Sequence, residues 1–200
     1  VGGLNITGSA NNTGKATVTN HSGRLTVGGT FTNNGDATFV NNGTELNVSG
    51  TVSNENGLDD MTNNGADGFN VTETGKISGN GGLNMTNSET GTAGMNINGT
   101  VTNIGNANVL NKAGALNVGG SFTNNGNTTF VNDGTELNVS GTVANENGLL
   151  DMTNNGANGF NVTETGKISG NGGLNMTNSE AGTAGMNING TVTNIGNANV

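Results

Sequence analysis

The sequence predicts an all-β fold: a right-handed parallel β-helix (β-solenoid) of about nine coils of 21–26 residues, each with three short strands. Short apolar–polar–apolar triplets recur at near-constant spacing, and alternation of period two is the signal of a half-buried strand. Glycines and Asn-Asn or Asn-Gly steps separate the triplets, supplying corners that tolerate unusual backbone angles. The composition fits a narrow core, with 38 glycines, 30% hydrophobic residues and no proline, cysteine, tryptophan or tyrosine. High net charge with few apolar residues would favour disorder, but here the apolar residues are ordered in i, i+2 pairs. Helix is rejected because each interior glycine would cost about 1 kcal/mol.

The clearest rung is Leu46-Asn47-Val48-Ser49-Gly50-Thr51-Val52, repeated as Leu137-Asn138-Val139-Ser140-Gly141-Thr142-Val143. Looser copies begin at Leu4, Leu25 and Met95. Leu46 and Val48 point inward, Asn47 points out, Gly50 turns the corner and Val52 re-enters the core. Coils begin at Leu4, Leu25, Leu46, Phe69, Met95, Leu116, Leu137, Phe160 and Met186, giving steps of 21, 21, 23 and 26 that then repeat. In the coil from Leu25 the strand signals are Leu25/Val27, Phe31 and Ala37/Phe39. Those nine starting residues form one interior line. Ile6, Val27, Val48 and their successors form a second, and Val18, Phe39, Met61, Met85 and so on to Val200 a third. At ~4.8 Å between coils the rod is roughly 40 Å long.

A longer period lies above the coil. Residues 30–109 match residues 121–200 at an offset of 91, differing at eight positions that include Asp36/Asn127, Ala37/Thr128, Asp59/Leu150 and Asp67/Asn158. Residues 1–200 therefore read as a single solenoid segment with a 91-residue repeat, 18–108 matching 109–199. The segment is expected to belong to a longer chain.

Asparagine supplies a second regularity. Two residues past each third-strand anchor stand Asn20, Asn41, Asn63, Asn87, Asn111, Asn132, Asn154 and Asn178. Stacked amides can bond donor to acceptor along such a column, so these are expected to form a structural ladder, pointing inward or closing a corner. The longer steps place extra residues at Asn56–Met61 and, in the 26-residue step, at Ser78–Gly82 and Asn87–Ala93, where insertions should emerge at corners. Asp59 falls in the inward slot used by Ala37 and Leu83. Either the strand bulges there or the carboxyl is partly buried, and because burying an unpaired charge is costly the bulge is the favoured expectation.

The charge pattern excludes several function classes. Fourteen Asp and Glu oppose only Lys15, Arg24, Lys76, Lys112 and Lys167, for a net charge of −9. Nucleic-acid binding needs clustered cations, as does docking on anionic lipid. No apolar run approaches the ~20 residues of a membrane helix. No catalytic, cofactor or metal site is expected. His21 is the lone histidine, and Lys112 stands in its place one repeat on. Acid–base hydrolysis of sugars needs grouped carboxylates. The nearest pairs, Asp59 with Asp60 and Glu45 with Glu55, read as a solvated acidic edge. Gly79-Asn80-Gly81-Gly82-Leu83-Asn84 lacks the aspartate of a calcium-binding nonapeptide.

Two surface features remain. Asn-x-Ser/Thr sequons at Asn5, Asn47, Asn70, Asn84, Asn98, Asn138, Asn161, Asn175 and Asn189 are candidate glycosylation acceptors if the chain is exported. Thr30-Phe31-Thr32, Thr51-Val52-Ser53 and Thr100-Val101-Thr102 stack hydroxyls outward, which resembles the ice-binding faces of antifreeze solenoids. Lys76, Lys167 and Ala144 interrupt those rows, and threonine also suits any exposed strand position.

The ~20-residue coil, the Leu-Asn-Val-x-Gly-Thr-Val rung, the Asn-Gly corners, the acidic balance and the missing cysteine resemble the shafts of filamentous-haemagglutinin-like adhesins. These are exoproteins of Gram-negative two-partner secretion. The resemblance covers the whole chain. Its amino-terminal secretion domain, with an Asn-Pro-Asn-Gly type motif, does not fit a chain without proline. The resemblance implies an interior shaft segment: a non-catalytic rod, secreted or on the cell surface, serving adhesion, filament formation or display. Its partner would be a host-cell or bacterial surface receptor or glycan. Unpaired strand edges at the ends would favour end-to-end self-association. The alternatives are an ice-binding solenoid and a carbohydrate-binding or -processing β-helix.

Overall fold

A computed structural model describes residues 2–179 and 184–200. The chain is a β-solenoid of about nine coils with three strands per coil, arranged as three nine-stranded sheets. All pairings between adjacent strands are parallel, and each joins one coil to the next. In the first sheet Leu25 pairs with Leu46, in the second Phe31 with Val52, and in the third Phe39 with Met61. Because the side-chain period is two, this register puts like residues over like and keeps every apolar line inside.

Strands run three to six residues, short because the bore is narrow. In the central coils buried residues mostly alternate with half-buried ones, as in Leu46–Val48, or with exposed ones, as in Thr100–Ile104. Leu25, Val27, Leu46, Val48, Val52 and Met61 have no exposed surface, and burial of each such side chain contributes about 1.5–3 kcal/mol. Phe31 meets Phe39 edge to face at 4.9 Å, and Phe122 meets Phe130 at 4.8 Å. In the first and last coils the same lines are partly open: Leu4 and Ile188 are exposed.

The corners explain much of the glycine. Gly57 turns with φ 91°, and a Cβ there would lie 2.6 Å from the carbonyl carbon of Gly35 in the coil before. Positive φ and coil-to-coil contact both demand the missing side chain at that point.

Two expectations need correction. Asp59 does not bulge. It pairs with Ala37 on one side and Leu83 on the other in unbroken register, and its side chain is fully buried. The strand is held by continuous backbone ladders over its whole length, and turning one residue outward would displace Met61 and Asn63 as well. The second correction concerns the 26-residue step. Gly79 pairs with Asn54 and Leu83 with Asp59, so the corner at Gly79–Leu83 is one residue shorter than its neighbour. Added residues lie instead at Thr72–Gly75, whereas the insertion expected at Asn87–Ala93 is present at Ser88–Gly94; both corners adjoin the first sheet.

Candidate functional site

The chemistry-bearing side chains of this rod are mostly amides in columns. The expected ladder is present. Each Nδ2 donates to the Oδ1 one coil on: Asn20 to Asn41 at 2.7 Å, Asn41 to Asn63 at 2.8 Å, Asn63 to Asn87 at 3.0 Å and Asn87 to Asn111 at 2.8 Å. Asn111 continues to Asn132, Asn132 to Asn154 and Asn154 to Asn178 at 2.7–2.8 Å. All members are buried except Asn178, which is half-buried. The second N–H of several members closes the local corner, as from Asn63 to the Gly65 carbonyl at 2.8 Å and from Asn87 to that of Gly91 at 2.8 Å. One amide thus ties its own corner and the next coil. That dual use lets a polar group sit in the core without an orphaned atom.

A second inner ladder runs at the corner between the second and third sheets, where the sequence reads simply as a polar turn. Asn12 donates to Asn33 at 2.7 Å and Asn33 to Asn54 at 3.3 Å. Asn103 donates to Asn124 at 2.9 Å and Asn124 to Asn145 at 3.4 Å. Glycine breaks the column at Gly79 and Gly170. At the first break Asn54 Nδ2 and Asn103 Oδ1 are buried without a partner. The pattern that marks this column is the position two residues past each second-strand apolar residue: Asn there, with glycine in the two coils that carry Leu83 and Leu174.

A third column lies on the outer face of the first sheet and donates the other way. Asn161 donates to Asn138 at 3.0 Å, Asn138 to Asn117 at 2.9 Å, Asn117 to Asn96 at 2.8 Å and Asn96 to Asn70 at 2.9 Å. Asn70 then donates to Glu45 at 2.7 Å, and Glu45 also pairs with Arg24.

The sequon asparagines divide accordingly. Asn70, Asn138 and Asn161 already use their amide nitrogen in that column. Asn84 and Asn175 accept from Asn108 and Asn199. Asn47 is half-buried, whereas Asn5, Asn98 and Asn189 are exposed. The hydroxyl rows are in register: Thr30, Thr51, Lys76, Thr100, Ser121, Thr142, Lys167 and Thr191 succeed one another along the second sheet.

The carboxylate pairs do not converge. Asp59 points into the core while Asp60 faces out, because they are adjacent on one strand. Glu45 serves the first sheet, and Glu55 accepts from Asn34 at a different corner. Among the described residues no three His, Cys, Asp or Glu side chains group as metal ligands, and no helix is long and apolar enough to cross a membrane.

Asp59 itself was misplaced by the sequence reading. Both carboxylate oxygens are buried without a partner, and desolvation pushes its pKa up to about 7.

No family model, curated protein or solved structure matches the chain.

Proposed function

We propose that the chain is a structural rod of a secreted or cell-surface bacterial adhesin or filament, non-catalytic, holding partner-binding regions at a distance. The observation that carries this reading is the amide column from Asn20 to Asn178, which links eight consecutive coils without a break. A spacer must resist bending and local opening, and a hydrogen-bonded core column couples each coil to its neighbours. Repeat arrays draw their stability from such nearest-neighbour interfaces, so length scales with coil number. Antibody against the chain should label intact source cells or the culture medium, and label confined to the cell interior would overturn the reading. Exposed coil edges should drive end-to-end association at high concentration, so strictly monomeric material would remove the filament part of it.

The in-register hydroxyl row of the second sheet favours one other reading, an ice-binding solenoid. Thermal hysteresis that disappears in Thr51→Leu and Thr102→Leu would establish it.

A further inference from the structure

The two 91-residue units differ inside the core at two positions: Asp59 stands where the second unit has Leu150, and Ala37 where it has Thr128. Asp59 is fully buried and its two oxygens have no hydrogen-bond partner. Its inward neighbours in the adjacent coils are Ala37 and Leu83, and across the corner lies Asn54. The inward side chains of the first sheet are all apolar, and no charged group faces Asp59 from any strand packed against it. Lys15, Asp36 and Asp60 line a hollow on the outer surface of the same corner.

The same column shows what a satisfied polar group looks like. Thr128 accepts from Asn124 at 2.8 Å within its own coil and donates to Asn145 in the next at 2.9 Å. For Asp59 the residue corresponding to Asn145 is Gly79, which has no side chain to accept. Asn54, the counterpart of Asn124, leaves its Nδ2 unpaired. In the closed coil neither Asp59 oxygen accepts a hydrogen bond, that of Asn54 Nδ2 included, whereas opening the coil would hydrate the carboxylate.

We infer that Asp59 is a proton-binding site in the core that makes the third coil pH-labile, closed with the carboxyl protonated and prone to local opening once the proton leaves to solvent. The second unit, with Leu150, has no such response and serves as an internal control. The direction follows from linkage. The carboxyl's affinity for a proton is higher when buried, with a pKa of about 7 against 3.8 when free. Protection of the coil is therefore complete below the free value, falls as pH rises between the two, and levels off above the buried value.

Hydrogen exchange on the 200-residue chain tests this, because peptides covering Leu58–Asn63 and Leu149–Asn154 differ in sequence and can be followed together. Their ratio cancels the intrinsic pH dependence of exchange. Protection of the first relative to the second should fall roughly tenfold per pH unit between about pH 4.5 and 6.5 and flatten above about pH 7. A ratio independent of pH overturns the proposal. Asp59→Asn should abolish the slope, and if it keeps the slope another group is titrating and the assignment fails. Should that variant not fold, Asp59→Leu supplies the residue the second unit has at that place and must give a flat ratio. The Asp59 carboxyl carbon, followed by NMR in the unaltered chain, should titrate near pH 7, and a midpoint near 4 also overturns it.

Discussion

The two 91-residue units are nearly the same sequence wound twice, yet they do not use their cores in the same way. In the second, Thr128 bridges Asn124 and Asn145 across two coils, and Leu150 fills the next place in the column. In the first, Ala37 contributes no polar atom and Asp59 enters the core without a partner. The backbone does not register the change: Ala37–Asp59 and Thr128–Leu150 pair identically. Stacking dictates where a side chain points, and that constraint is strong enough to hold an unpaired carboxyl inside. What varies between units is how completely each buried polar atom is satisfied.

Leu150→Asp should give the largest effect, since it moves the first unit's liability into the second. The chain loses a buried leucine worth about 1.5–3 kcal/mol and gains an unpaired carboxylate, so a loss on the order of 5 kcal/mol at pH 8 is expected from urea unfolding. The reverse change, Asp59→Leu, should stabilise the chain at pH 8 by up to about 4 kcal/mol, from a pKa raised from 3.8 to about 7 at ~1.4 kcal/mol per unit. That gain should vanish below about pH 4, where the carboxyl is protonated whether folded or not. A gain that persists there would mean packing, not charge, separates the units.

The ladder gives the next contrast. Asn87→Leu removes the acceptor for Asn63, the donor to Asn111 and the corner bond to Gly91. Two buried partners are orphaned, so a loss of roughly 3 kcal/mol is expected. Its repeat partner Asn178 is half-buried, and Asn178→Leu should cost no more than about half as much. Equal unfolding midpoints for Asn87→Leu and the unaltered chain would sink the role assigned to the column. Gly79→Asn should close the broken second ladder and stabilise by about 1 kcal/mol, offering Asn54 Nδ2 an acceptor. The new Cβ would lie 2.8 Å from Asn103 Oδ1, so the buried Asn103 amide must shift slightly while keeping its bond to Asn124. Destabilisation would show that Leu83 already fills that space. Asp36→Asn should be smallest. Its ion pair with Lys15 spans 3.7 Å between exposed groups, and such pairs contribute under about 1 kcal/mol. The Leu58 N–H bond survives, as Asn127 accepts from Leu149 at 3.0 Å in the second unit.

Much of this was legible in one sequence. Leu46-Asn47-Val48 and its copies carry a period of two, and their spacing carries the coil. The column from Asn20 to Asn178 was readable because it breaks nowhere. The second ladder was not, since Asn33-Asn34-Gly35 is also ordinary turn sequence, and the buried member is told from the exposed one only by the strand it ends. The insert at Thr72–Gly75 escaped for a related reason: the run Gly79–Gly82 looks like a long loop, but Gly79 and Gly82 pair as strand and leave only Asn80 and Gly81 between them.

The sequence by itself determined the coil, its three strands and the inward lines, because stacked parallel strands admit a single register for a repeated apolar pattern. Only the tertiary structure decided how the amides pair, in which direction they donate, and whether Asp59 turns away or is held in. Those outcomes depend on the coils above and below, whose positions no local stretch of residues encodes.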